Sequence, residues 1–181
     1  SSDTPNGAYE FARLVAQSSL PAGVINVITG SGAEVGNALA ANKKVAMVSM
    51  TGSTAAGKQI MRTAAENITK VSLELGGKAP VIVMDDCDLD ATVEHVFRSR
   101  FINCGQACNC AERVYVQKGI YSAFIEKLSE KISQAKYGKP EEEGIAIGPM
   151  INAKQVEHVD ELVQSAVAEG AVLLCGGHKT T

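Results

Sequence analysis

The chain has 181 residues, 45% of them hydrophobic and 20% charged, a mix that can bury a core and excludes disorder as the main state. A net charge of −3 and a pI near 5.6 offer no general basic surface to a phosphate backbone, so no nucleic-acid partner is expected. The longest apolar run, residues 79–84, is far short of the ~20 residues of a membrane span, and no secretory core opens the sequence, so no membrane partner is expected. Cys87, Cys104, Cys108, Cys110 and Cys175 are odd in number and show no framework spacing, which points to a reducing compartment, the cytoplasm. The sequence opens at Ser1 without Met and stops at Thr181 soon after Gly176-Gly177, and it reads as an interior piece of a longer chain.

Thr4-Pro5 precedes apolar residues at helical spacing (Ala8, Phe11, Ala12, Val15), which predicts a helix to about Gln17. The period then changes. Residues 24–28 are β-branched and closed by glycines, predicting a strand, followed by a short helix over 33–41. A second unit repeats the order, with a strand over 45–50, a turn over 51–54, a helix over 55–65 and a strand over 71–75 ending at Gly76-Gly77. Strands alternating with helices predict an α/β fold with a parallel sheet. A strand over 80–84 follows the glycine pair, and the acidic turn of Asp85, Asp86, Asp88 and Asp90 is placed to cap a helix over 89–101. Beyond it the pattern predicts strands over 113–117 and 171–175 and helices over 120–136 and 153–169.

Three segments can carry chemistry. Residues 51–59, between a predicted strand and helix, nearly spell a P-loop, but Gln59 stands where a Ser or Thr would ligate Mg²⁺. Two readings remain, a diphosphate seated at a helix N-terminus with Ser53, and a plain turn. Residues 103–110 hold three thiols whose spacing fits neither zinc nor iron–sulfur sites, so no metal is expected. Cys87 and Cys175 read as inert core residues. Cys108 follows Gly105-Gln106 at a break after a helix, where a thiolate can be exposed and stabilised as a nucleophile. Glu74 ends an apolar strand. Burial there would raise its pKa toward that of a general base, and the alternative is an exposed Glu paired with Lys78.

Together these segments resemble the aldehyde dehydrogenase superfamily along essentially the whole chain. Its Thr-Gly-Ser-Thr turn, its Leu-Glu-Leu-Gly-Gly-Lys and its Asn-x-Gly-Gln-x-Cys occur in order, with Cys108 following Glu74 by 34 positions. The resemblance implies a Rossmann-like parallel sheet portion over 1–75, the C-terminal part of the NAD(P)-binding domain. It implies an α/β portion over 76–181, the N-terminal part of the catalytic thiol domain. By the same likeness Cys108 is the nucleophile and Glu74 the base, and Gly52 and Ser53 hold the pyrophosphate of NAD or NADP. Gln155 and His158 fall where the family contacts the nicotinamide ribose with a Gln and a Lys.

Two stretches, 45–53 and 108–116, are similar to family members that act on small hydroxyaldehydes, lactaldehyde or glycolaldehyde, and this makes Asn109 a contact to the substrate hydroxyl. Members acting on succinic semialdehyde are the rival. They place an Arg six residues before the nucleophile, where this chain has Ile102. Ser2 falls where NAD-preferring members carry a Glu on the adenosine ribose, which implies use of NADP beside NAD unless Asp3 restores the discrimination. Other family segments lie outside these residues, so the piece alone is expected to be inactive, a folding or interaction unit being the competing reading. The full-length protein is expected to be a homo-oligomer, a tetramer or dimer.

Overall fold

The computed structural model describes residues 3–179, and these divide into two compact units between Gly76 and Gly77. The α/β class with parallel strands, expected from the alternating pattern, is the class observed.

In the first unit, helix α1 (Asn6–Ala16) begins directly after Pro5, whose carbonyl accepts from the Tyr9 N–H. A π-helical turn (Gly32–Gly36) leads into α2 (Asn37–Ala40). Ser31 starts it with a reciprocal cap, in which its hydroxyl accepts from the Glu34 N–H and donates to the Glu34 carboxylate. Strands β1 (Met47–Gly52) and β2 (Lys70–Leu75) pair in parallel, from Met47 opposite Lys70 to Gly52 opposite Leu75. The crossover between them is α3 (Thr54–Ala65), which buries Gly57, Ile60 and Ala64, a stripe at helical spacing.

The second unit repeats the plan. Strands β3 (Pro80–Val83) and β4 (Arg113–Val116) pair in parallel, joined through α4 (Leu89–Phe101), which Asp88 caps by accepting from the Ala91 N–H. Val83, Val93, Val96 and Phe124 form the buried core, Phe124 coming from α5 (Tyr121–Gln134). Cys87 packs against this core, as its apolar setting implied. Helix α6 (Ala153–Ala168) is capped by Asn152, whose side-chain oxygen accepts from the Gln155 N–H. No helix among the described residues is long and apolar enough to cross a membrane.

Two predicted strands do not form. Residues 24–28 and 171–175 have no regular structure, and Ile28 and Val172 are 62% and 81% exposed. The apolar composition, β-branched over 24–28, suits strands, but a strand exists only through a partner's hydrogen bonds, and no described residue pairs with either segment. Cys175 therefore lies half-buried outside any strand rather than in a strand core.

Candidate active site

The thiol segment begins where α4 stops. The chain enters a short turn, Ile102–Gly105, in which Asn103 (φ 47°, ψ 41°), Cys104 (φ 58°, ψ 33°) and Gly105 (φ 77°) are successively left-handed. For non-glycine residues this conformation costs roughly 1–2 kcal/mol each, least for Asn. Local bonds hold it. The Asn103 carbonyl accepts from the Gln106 N–H and from its side-chain amide, while the Cys104 sulfur accepts from the Gly148 N–H at 3.2 Å. The chain then folds back. The Cys110 N–H donates to the Ala107 carbonyl, and the Ala111 N–H donates to Ser99 Oγ at 3.1 Å.

This loop sorts its three thiols by environment. Cys104 is half-buried against Gly148. Cys110 is 1% exposed, with its thiol directed to the Gly105 carbonyl. Cys108 sits exposed in the turn, with the exposed Asn109 beside it. Because the sulfurs diverge to separate partners they share no centre, and among the described residues no group of His, Cys, Asp or Glu is placed to hold a metal ion.

Glu74 lies on β2 opposite Thr51, in the first unit, whereas Cys108 belongs to the second. The described residues leave Glu74 exposed, so they do not supply the burial expected to tune it. Its alternative partner, Lys78, is engaged within the second unit. The Lys78 carbonyl accepts from Arg113 Nε at 2.9 Å, which fixes Lys78 beside β4, and its ammonium meets the Glu112 carboxylate instead. The Lys78 ammonium, with Arg100 beyond it, holds the Glu112 carboxyl below its ordinary range.

Gly52 ends β1 and Ser53 caps α3, its hydroxyl accepting from the Ala56 N–H at 3.2 Å. Both are exposed, at the C-terminal end of a parallel strand and the N-terminal end of a helix. Gly57, which gave the segment its P-loop look, has a packing reason instead, since it is buried where α3 lies on Leu75 of β2. Gln155, half-buried, and His158, exposed, are one turn apart at the start of α6 in the second unit. Ser2 lies outside the described residues.

The sequence reading missed Arg100, Glu112 and Ser99, which surround the thiol loop. The available signal was the pair of basic residues in the last turn of α4 and a lone acid just after the third thiol.

A family model described as "Aldehyde dehydrogenase family" matches residues 1–181. The chain is 57% identical over 175 residues to lactaldehyde dehydrogenase of Escherichia coli (strain K12), covering 96% of this chain and 36% of that protein. It is 48% identical over 176 residues to the NADP(+) succinate-semialdehyde dehydrogenase GabD of the same strain, covering 97% of this chain and 36% of that protein. A solved lactaldehyde dehydrogenase structure superposes with a TM-score of 0.96 at 55% identity, covering 100% of this chain and 38% of the other. The chain thus spans little more than a third of the length of these relatives.

Proposed function

The chain belongs to the aldehyde dehydrogenase family, and from that premise we propose that the full-length protein oxidises a small uncharged hydroxyaldehyde, lactaldehyde or glycolaldehyde, to its carboxylic acid with NAD or NADP. The observation that carries this reading is the sorting of thiols in one loop. Cys104 and Cys110 are engaged by Gly148 and by the loop itself, and Cys108 alone of the three is exposed.

In this reading the first unit is the end of the dinucleotide-binding domain and the second the start of the thiol domain. The exposed first turn of α3 fits a diphosphate, because Gly52 has no side chain to block approach and the leading N–H groups of a helix lack intrahelical acceptors. Ser53 keeps its hydroxyl proton for a phosphate oxygen while its lone pair serves the cap. Gln155 and His158 are assigned to the nicotinamide ribose and Ser2 to the adenosine ribose. When bound, the nicotinamide supplies a hydride acceptor.

Cys108 acts as a thiolate, its sulfur forming a bond to the aldehyde carbon while the carbonyl oxygen takes the negative charge beside the Cys108 backbone N–H. Asn109 contacts the neighbouring substrate hydroxyl. After oxidation the acyl group remains on sulfur as a thioester. Glu74 takes a proton from water as the water oxygen bonds to the acyl carbon, the carbon–sulfur bond breaks, and Cys108 returns as thiolate with release of the acid. Full length, the enzyme is a cytoplasmic homo-oligomer in this reading.

Ile102, where the succinic semialdehyde branch carries Arg, would leave a substrate carboxylate without a cation, which supports the uncharged substrate. A hydrogen-bonded charge contributes about 1.5–3 kcal/mol, so kcat/KM for lactaldehyde or glycolaldehyde should exceed that for succinic semialdehyde by at least roughly tenfold. Steady-state assays of the full-length protein with the three aldehydes test this. A preference for succinic semialdehyde would move the protein to that branch.

A further inference from the structure

Three charged side chains outside the assigned chemistry converge behind the Cys108 loop. Arg100, in the last turn of α4, donates from Nη1 to Cys110 Sγ and to the Ala111 carbonyl, each at 3.3 Å. Its Nη2 lies under Gly105, so close that a Cβ there would be 2.9 Å away. One guanidinium thus touches both ends of residues 105–111, with Cys108 at the exposed turn between them. Glu112, the next residue along, sets Oε1 at 3.6 Å from Arg100 Nη1. Its Oε2 is enclosed and meets the Lys78 ammonium.

An exposed ion pair by itself contributes little. Here the guanidinium does more than pair, because its Nη1 meets a sulfur, a backbone carbonyl and a carboxylate while its Nη2 packs beneath a glycine that leaves room for it. The guanidinium thus lies beside both ends of the loop, which the Cys110 thiol also joins through the Gly105 carbonyl, and the spacing of those ends bears on where the turn carries Cys108.

We propose that Arg100 is a positioning residue for the Cys108 thiol, its guanidinium held by Glu112, whose second oxygen pairs with Lys78, so that it clamps residue 105 to residues 110–111. The proposal rests on Cys108 being the nucleophile. Removing the clamp leaves the thiol present but poorly placed, and misplacement of a reacting group by about an ångström costs up to ~100-fold in rate.

The test compares the full-length protein with Arg100→Met, which keeps an unbranched stem and removes the fork, and with Arg100→Lys and Glu112→Gln. Hydrogen–deuterium exchange over residues 105–111, kcat, KM and melting temperature are measured for each. Arg100→Met should exchange about tenfold faster over 105–111 and lose kcat about tenfold or more, with KM for the dinucleotide unchanged. Arg100→Lys restores the charge without the fork and should fall between. Glu112→Gln should move in the same direction, and its effect should not add to that of Arg100→Met. Parental exchange and kcat in Arg100→Met overturn the proposal, as does a loss confined to melting temperature. Should Arg100→Met fail to fold, parental exchange and kcat in both Arg100→Lys and Glu112→Gln overturn it equally. A parent that oxidises no aldehyde defeats the functional reading, whereas the exchange comparison still decides the clamp.

Discussion

Leu75 closes directly over Gly57, where a Cβ would stand 2.7 Å from Leu75 Cδ2. This contact seats α3, which Ser53 caps, against the end of β2, where Glu74 stands. A branched side chain at residue 57 would have to displace the Leu75 methyls from their place on α3. Gly57→Val is therefore expected to destabilise the protein by about 1–3 kcal/mol, with part of the loss recovered by adding Leu75→Ala. Denaturant midpoints of the two variants and the parent check this, and an unchanged midpoint in Gly57→Val would remove the packing explanation.

The thiols are expected to react in the order of their environments. Brief iodoacetamide treatment followed by peptide mass spectrometry should find Cys108 labelled first and the buried Cys110 last among residues 104, 108 and 110. Labelling of Cys104 ahead of Cys108, together with full turnover in Cys108→Ser, would reassign the nucleophile.

Acid should weaken the second unit through Glu112. The Lys78 ammonium, and beyond it Arg100, lowers its folded-state pKa. A carboxyl lowered on folding contributes stability above its unfolded value, about 4.3 for Glu, and loses it as the pH falls through the folded value. The melting temperature of the parent should therefore fall more steeply below about pH 4.5 than that of Glu112→Gln, which has no such proton to bind. Parallel falls in parent and variant would show that the Lys78 contact contributes nothing.

Local patterning made most elements readable in the sequence, because a helix or a parallel crossover announces itself in a dozen neighbouring residues. Residues 24–28 and 171–175 have strand composition, yet pairing is not a local property and no described residue supplies it. The same division holds at the site. The exposure of Cys108 was legible from Gly105-Gln106, and the position of Ser53 at a helix start from its place between strand and helix. Arg100 and Glu112 were not, because their meeting depends on a left-handed reversal at Asn103 and Cys104 that brings the two ends of a loop together. Nearness in sequence makes Lys78 an alternative partner for Glu74, whereas in the structure the Arg113 contact to its carbonyl fixes Lys78 beside β4 and its ammonium meets Glu112.

Cofactor choice is tested at Ser2. An uncharged residue admits the 2′-phosphate of NADP, and a carboxylate there would repel it. The full-length protein is expected to use NADP appreciably as well as NAD, and Ser2→Glu to lower kcat/KM for NADP selectively. A strictly NAD-specific parent with no further loss in Ser2→Glu would give the discriminating role to Asp3.

The division of labour between Cys108 and Glu74 is tested most directly by trapping the acyl group. Full-length Glu74→Gln, mixed with lactaldehyde and NAD, should release one burst of reduced cofactor and then turn over slowly, because thioester hydrolysis lacks its base. Mass spectrometry of the quenched protein should find the lactoyl group on Cys108. Turnover at the parental rate without a burst, or an acyl group carried by another residue, would contradict the account.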